Sequence, residues 1–229
     1  MKKIVCVLVL LSVSICFVSC GNNFTEKYAD YECVDANLTY IKAGKEIGRD
    51  APGSWYTFSY HPIKDVSDDD FIVVDKSELM IASNETFIYQ NPELKIDVLR
   101  DWTISEIQFY IKSINSSTDF QRNNEQEIIF SSNNDNAFAS FLECIDSDST
   151  SGIRTALIKD KQLYMRVLFE EEEYMAWDAE ICVLKASYAI VCRLLEGGVE
   201  YREIPQISTL GSLIDEMIAE ELFEPYVEL

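Results

Sequence analysis

The sequence offers few residues for acid–base or nucleophilic chemistry. It contains one histidine, His61, and a Ser–His–Asp or Cys–His enzyme would have to be built on it. His61 precedes Pro62 at the end of a predicted strand, so we interpret it as a turn residue. No nucleophile-elbow, zinc-protease or phosphate-loop motif occurs. We therefore assign no catalytic residue, no metal ligand and no cofactor, and the binding residues stay unknown.

Three acidic stretches have the ligand chemistry to attract cations or a basic partner. Asp146–Gly152 resembles the beginning of a calcium loop, but its glycine is one position late and Leu157 stands where a bidentate Glu is needed. Residues 67–70, Ser-Asp-Asp-Asp, are denser, yet three neighbouring side chains cannot all converge. Glu170–Glu173 follows an apolar strand, where charge blocks edge-to-edge aggregation. We interpret all three as solvated turns.

Five aromatic residues in or near predicted strands are candidates for a platform that binds a sugar or a peptide. They are Trp55, Tyr56, Phe58, Tyr60 and Trp102. Large aromatic side chains on strands are usually buried. We interpret them as core residues and keep the platform as an alternative.

The first twenty residues carry the most specific signal. Lys2 and Lys3 form a basic start, and residues 4–18 are apolar except for two serines. This run is shorter than the about 20 residues that a spanning helix needs, and it is typical of a signal peptide. Residues 17–21, Phe-Val-Ser-Cys-Gly, resemble the lipobox of bacterial lipoprotein precursors. In that family an invariant cysteine receives a diacylglyceryl group, and the chain is then cleaved just before it.

This resemblance implies a signal peptide over residues 1–19, lipidation of Cys20 and a place on the extracytoplasmic face of the cell membrane. A thiolate is the soft nucleophile that can take the lipid as a thioether. Each buried CH₂ contributes ~0.8 kcal/mol, and two chains give a stable anchor. Cys16 follows the bulky Ile15 and is the weaker candidate. An ordinary cleaved signal and an uncleaved anchor are the alternatives. The resemblance covers residues 1–21 only.

The charge of the chain restricts its partners. Loss of Lys2 and Lys3 with the signal peptide takes the formal charge from −21 to −23. Such acidity argues against nucleic acid, whose phosphates require Lys and Arg. It also argues against electrostatic docking on anionic lipid heads. The predicted contact with the membrane is therefore the lipid on Cys20.

Four cysteines remain after Cys20. They are Cys33, Cys144, Cys182 and Cys192, and they allow two disulfides with three possible pairings. Their positions are scattered and show no zinc spacing. We interpret them as free, buried thiols that pack as small apolar groups.

The pattern of elements predicts an α+β fold, with mostly antiparallel β-sheet and one central and one C-terminal amphipathic helix packed on it. Residues 20–30 are predicted to be the lipidated N-terminus and tether. Residues 31–229 form the globular domain, with a possible subdomain boundary near 115–125. The central helix follows a cap at Asn134 or Asp135. The C-terminal helix runs from Ile207 to Leu222, with Ser208 or Thr209 near its cap.

Alternating apolar residues predict strands over most of 31–111 and again near 127–130 and 161–169. Leu94–Leu99 alternates and is predicted as a strand, and Ser83-Asn84-Glu85 as a hairpin turn. Residues 153–169 are predicted as a hairpin with its turn near 160–161. Residues 102–114 and 174–196 fit either type, and strand is favoured for both. In the second of these, the loop length would place Cys182 opposite Val191 or Cys192.

The function that these observations favour is a non-catalytic binding or interaction module, held at the membrane and directed at an unknown extracytoplasmic protein or ligand. A carboxylate-dependent hydrolase acting on cell-surface glycans is the alternative, because 40 acidic residues always offer some carboxyl pair. A small-molecule carrier is a third possibility and needs an apolar pocket between sheet and helices.

Replacing Cys20 tests the lipidation directly. We expect Cys20→Ala to leave the precursor uncleaved and without lipid, because no other group takes the place of the thiol. Intact-mass measurement and a fatty-acid label in whole cells would show this. Normal maturation of the variant would refute the assignment.

Overall fold

The structure, a computed structural model, describes residues 24–41, 47–50, 56–78, 83–113, 126–148, 161–184, 187–195 and 198–222. The four helices there are α1 (Phe24–Lys27), α2 (Val98–Asp101), α3 (Asp135–Asp146) and α4 (Thr209–Ala219). The twelve strands are β1 (Glu32–Cys33), β2 (Leu38–Tyr40), β3 (Gly48–Asp50), β4 (Tyr56–His61), β5 (Phe71–Glu78), β6 (Ser83–Gln90), β7 (Ile104–Ser113), β8 (Gln126–Ser132), β9 (Lys161–Phe169), β10 (Met175–Val183), β11 (Ser187–Arg193) and β12 (Val199–Pro205).

The strands form two sheets, and every strand pair in the described ranges is antiparallel. One sheet has five strands in the order β1-β6-β5-β4-β3. The other has seven, in the order β12-β11-β10-β9-β7-β8, with β2 as an additional neighbour of β10. The predicted α+β class with mostly antiparallel sheet is confirmed.

Helices α3 and α4 cover one face of the seven-stranded sheet. The Asn134 side chain caps α3 by accepting the Asn136 N–H at 2.9 Å, and Ser208 caps α4 by accepting the Gly211 N–H at 3.0 Å. Both predicted helices are confirmed, although Ile207 precedes α4 and is 97% exposed. A side chain at position 211 would clash, because a Cβ there would lie 2.2 Å from the Pro205 carbonyl oxygen.

The core lies between these helices and the sheet face that alternation predicted. In β9 every second residue is buried, from Leu163 to Phe169, and Trp177 of β10 packs edge-on against Phe141 of α3 with ring centroids 5.2 Å apart. The five-stranded sheet adds Phe71, Val73 and Ile88 to the same cluster. The two sheets therefore share one hydrophobic core.

A second, small cluster begins inside the predicted tether. Tyr28, directly after α1, is 6% exposed and stacks on Tyr60 at 5.5 Å, and Lys27 bonds Asp68 at 3.0 Å. From Phe24 onward the predicted tether is therefore part of the folded domain. The possible boundary near 115–125 and the predicted arm at 153–160 lie outside the described residues.

Two local predictions about the strands are wrong. Ser83–Glu85 is not a turn but the beginning of β6, paired with β5. Residues 94–99 are not a strand: Leu94 ends a turn started by Asn91, Lys95 has a φ of 52°, and α2 begins at Val98. The predicted strands at 102–114 and 127–130 are confirmed as β7 and β8.

The predicted hairpin at 174–196 is confirmed as β10–β11, but with a different register. The Leu184 N–H bonds the Ser187 carbonyl, and Cys182 lies opposite Ala189. All four described cysteines are unbridged; Cys144 and Cys192 are buried, whereas Cys33 and Cys182 are only partly buried.

A buried asparagine joins the two sheets. After β1 the chain crosses to the other sheet through Asp35-Ala36-Asn37 and enters β2. Asn37 is 3% exposed, and its amide accepts the Arg193 N–H at 3.0 Å and donates to the Arg193 carbonyl at 3.4 Å. The Asn37 carbonyl accepts the Asp178 N–H at 2.9 Å. One residue therefore completes the backbone pairing of both β10 and β11.

The Asp35 carboxylate fixes this crossing. It accepts the Asn37 backbone N–H at 2.7 Å and the Trp177 indole N–H at 3.1 Å. A similar arrangement holds the chain after β6, where the buried Gln90 amide bonds both the N–H and the carbonyl of Ile96. In both places a side-chain amide replaces a strand neighbour.

We expect Asn37→Ala to destabilise the protein by about 2–3 kcal/mol, because both backbone groups of Arg193 lose their partner. The measurement is the midpoint of urea unfolding. Asn133→Ala is the control, since Asn133 is exposed and such substitutions change stability by less than about 0.5 kcal/mol. Equal stability of the two variants would contradict the role given to Asn37.

Candidate functional site

The face of the seven-stranded sheet opposite to α3 and α4 carries polar and aromatic side chains. Side chains alternate along a strand, so the positions between the buried ones of β7, β9 and β10 point to this side. Cross-strand pairing places Tyr110 opposite Tyr164 and Arg166 opposite Asp178. We call this side the open face.

Four residues of the open face form a bonded frame. Arg166 binds Asp178 through two parallel bonds, Nε to Oδ1 at 2.8 Å and Nη2 to Oδ2 at 2.9 Å. The Tyr110 hydroxyl donates to Asp178 Oδ2 at 3.2 Å. The Arg166 guanidinium lies 4.9 Å from the centre of the Tyr110 ring, which stacks on Tyr164 at 5.3 Å. Such bidentate, stacked arginines hold a fixed geometry.

Burial shapes the chemistry of this frame. The side chains of Arg166 and Asp178 are only 13% and 16% exposed. Burial raises the pKa of the Tyr110 hydroxyl well above its ordinary value, and burial, followed by the charge of Glu180, raises the pKa of Tyr164 to about 12. Both tyrosines are therefore neutral hydrogen-bonding groups at physiological pH.

A cleft of about 420 Å³ opens beside the frame, at the point where the sheet divides. Strand β10 pairs with β2 over Met175–Trp177 and with β11 over Glu180–Val183, and Asn37 fills the position between them. The lining side chains come from six strands and from Asn37: Asn37, Thr39, Tyr110, Tyr164, Asp178, Glu180, Val191, Arg193 and Val199.

Two charged residues in the cleft differ from the frame because they have no partner. Glu180 is half-buried and Arg193 is exposed, and neither side chain forms a hydrogen bond or ion pair within the described part of the chain. Burial raises the pKa of Glu180. The charge of Glu180 raises the pKa of Tyr164 and the charge of Arg193 lowers it, and both residues line the cleft. Only two residues away from Glu180, Asp178 has both its oxygens bonded.

Two further depressions lie on the helix-covered side. One, of about 710 Å³, runs between α3 and residues 97–104, and Arg100 crosses it to bond Asp146 at 2.7 Å. The other, of about 250 Å³, borders Trp177 and contains the Arg202–Glu200 pair. Arg100 and Arg202 are thus paired within the protein. Arg193 borders the second depression as well as the open-face cleft.

The sequence-based site candidates do not come together in the cleft. His61 is the last residue of β4, and its Nε2 lies 3.2 Å from Asp75. Phe58 and Tyr60 pack around Tyr28, while Trp102 lies between Phe71 and Phe169 in the main core. Trp102 therefore lies in a different cluster from Phe58 and Tyr60. The other two candidates, Trp55 and the side chain of Tyr56, lie outside the part of the chain that the structure describes.

The acidic stretches are held by contacts of their own. Asp146 is bonded to Arg100, and Glu171 accepts the N–H and hydroxyl of Thr103. Burial, followed by the charge of Asp70, raises the pKa of Glu172. The 67–70 stretch therefore acts electrostatically on the 170–173 stretch. The described residues contain no group of three ligand side chains that could hold a metal ion. Cys20 lies outside the described residues.

Sequence reasoning missed the cleft, although a signal for it exists. The polar positions of two strands, Tyr164-x-Arg166 and Asp178-x-Glu180, interrupt alternating apolar residues and fall on one face. Comparison with known proteins adds no identification: no family model, no curated protein and no solved structure shows significant similarity to this chain.

The half-buried Glu180 predicts a pH-dependent stability difference. Because burial raises its folded-state pKa above the ordinary 4.5, ionised Glu180 lowers the free energy of unfolding above that raised pKa. Below about pH 4 the carboxyl is protonated in both states and this cost disappears. We expect Glu180→Gln to raise the urea midpoint at pH 8 and to leave it unchanged at pH 3.5.

Glu203→Gln is the matched control, since Glu203 is an exposed carboxyl on β12 outside the cleft. The urea midpoint of this variant should equal that of the parent at both pH values. A Glu180→Gln variant that is less stable than the parent at pH 8 would show that Glu180 has a stabilising partner.

Proposed function

We propose that this chain is an extracytoplasmic lipoprotein, anchored in the cell membrane by lipid on Cys20, whose globular domain binds a ligand in the open-face cleft. The anchor is supported by Lys2 and Lys3, the apolar run over 4–18 and the lipobox-like residues 17–21. No helix in the described ranges is long and apolar enough to cross a membrane.

The observation that carries the binding function is the contrast within the cleft. The Arg166–Asp178–Tyr110 frame is saturated with internal bonds, so it supplies a rigid wall. Glu180 and Arg193 lie next to that wall, and their side chains form no hydrogen bond with any residue in the described ranges. A concave site with a few converging polar groups and one group of raised pKa is the usual form of a ligand site.

A carboxylate-dependent hydrolase is the second candidate, and one observation favours it. Asp178 and Glu180 lie on one face of β10, two residues apart, which separates their Cα atoms by about 7 Å. A half-buried carboxyl of raised pKa such as Glu180 suits a general acid. The required second carboxylate is Asp178, whose oxygens are bonded by Arg166 and Tyr110. This occupation of Asp178 favours binding over hydrolysis.

A photo-reactive residue in the cleft tests the binding function in intact cells. Val199 lines the cleft and is 45% exposed, so a photo-reactive amino acid there should cross-link to the bound partner on irradiation. We expect a discrete adduct that disappears when Tyr164→Ala removes the stacked wall. Mass spectrometry of the purified protein identifies the adduct.

The matched control carries the same photo-reactive residue at Ile207, which is exposed and lies outside the cleft. An adduct common to both positions, or one unaffected by Tyr164→Ala, would count against the cleft. For the anchor, Cys16→Ala is the control for Cys20→Ala and should mature normally. If a bound glycan is found cleaved, and Glu180→Gln stops the cleavage but not the binding, the hydrolase is the correct assignment.

A further inference from the structure

The two unpartnered charges of the cleft have opposite signs, and this restricts what binds there. Glu180 and Arg193 line the same cavity, and both act on the Tyr164 hydroxyl. Among the residues that the structure describes, no ion pair joins these two side chains to each other or to any other group. Within that part of the chain Arg193 therefore has no carboxylate partner, although the sequence holds 40 acidic and only 19 basic residues.

The backbone explains why the two charges stay apart. Arg193 would continue the β10–β11 ladder opposite Asp178, but the Asn37 amide takes both backbone groups of Arg193 and holds the strand away from β10. Asp178 is closed by Arg166 and Tyr110, so the Arg193 guanidinium has no carboxylate to fold back on at that position. Glu180 remains on the β10 side of the gap.

We infer that the cleft binds a zwitterionic ligand of amino-acid to dipeptide size, with the ligand's ammonium group on Glu180 and its carboxylate on Arg193. This inference rests on the proposed binding function. A carboxylate accepts the paired N–H groups of a guanidinium, and an ammonium donates to a carboxylate. The stacked face of Tyr164 and the side chains of Val191 and Val199 provide the contact for the ligand's body. A volume of about 420 Å³ accommodates one or two residues but not a long peptide.

The charge of the whole protein agrees with this assignment. A cation alone would be attracted by most of the surface of a chain with a formal charge of −21. The presence of Arg193 in the cleft repels a simple cation and gives a separate site for an anionic group. Each charged group of the ligand is attracted by one of the two residues and repelled by the other, and this gives specificity for a ligand that carries both groups.

Calorimetry on the lipidated chain in nanodiscs tests the inference with a defined set of probes. The probes are alanine, alanyl-alanine and the N-acetyl and C-terminal amide derivatives of alanyl-alanine. We expect one unblocked probe to bind, and either blocking group to weaken it about 10- to 100-fold, which is the usual effect of losing a charged hydrogen bond. Equal affinities for blocked and unblocked probes would overturn the inference.

Two variants assign the ends of the ligand. Glu180→Gln should lower the affinity for the unblocked probe and leave the affinity for the N-acetyl derivative unchanged. Arg193→Gln should lower the affinity for the unblocked probe and leave the affinity for the amide derivative unchanged. Glu203→Gln and Arg100→Gln are the controls outside the cleft and should have no effect. Loss of affinity for all probes alike in either cleft variant would overturn the assignment of ends.

Failure of this inference is distinguishable from failure of the proposed function. If no probe binds at millimolar concentration while the photo-reactive residue at Val199 still captures a partner through the cleft, the ligand class is wrong and the binding function stands. If an unblocked probe binds with the expected charge dependence but Cys20 carries no lipid, the ligand class stands and the anchor is wrong.

Discussion

The pairing of the Asn37 side chain with the backbone of Arg193 is the interaction on which the rest of the structure depends. The chain leaves the five-stranded sheet after β1 and must enter the seven-stranded sheet beside β10, where β11 already occupies part of the same edge. Without Asn37, the backbone groups at the junction would be buried and unpaired, each at a cost of about 1–3 kcal/mol. The buried amide, fixed in turn by Asp35, removes that cost. It also attaches the two sheets to one core.

The same constraint produces the cleft. Two strands cannot share one edge of β10 without a gap between them, and the side chains on either side of this gap cannot close on each other. The junction therefore holds Arg193 away from β10 while Asp178 and Glu180 stay in place. The shape of the cleft therefore follows from the pairing of the backbone.

Much of the fold could be predicted because apolar residues alternate with polar ones along the strands and so mark the face that is buried. Leu163, Met165, Val167 and Phe169 are such a face, and all are buried. Alternation does not indicate, however, which residues pair when they lie far apart in the sequence. Asn37 lies 156 residues from Arg193, and nothing in its neighbourhood distinguishes it from an ordinary turn asparagine. The frame depends equally on register, since Tyr110 and Tyr164 meet only because β7 pairs with β9 in one particular alignment.

The errors have the same origin. Leu94 and Ile96 pack against the core from irregular chain, and Leu99 does so from α2. The Gln90 amide supplies the backbone bonds that a neighbouring strand would have given. The apolar pattern of these residues is correct, but it does not determine the backbone conformation. The β10–β11 loop closes between Leu184 and Ser187 without a glycine or asparagine, so no turn signal marked its length, and the predicted registers missed Ala189 as the partner of Cys182.

Asp178 and Glu180 show how the fold separates structure from function within one strand. Both are carboxylates on the same face of β10, and both are largely removed from water. Asp178 recovers the cost of burial through two arginine bonds and a tyrosine hydroxyl, and it stabilises the frame. Glu180 has no such partner among the described residues, and burial raises its pKa. Buried groups that lower stability are concentrated at functional sites. This contrast with Asp178 is what supports the proposal that Glu180 contacts a ligand.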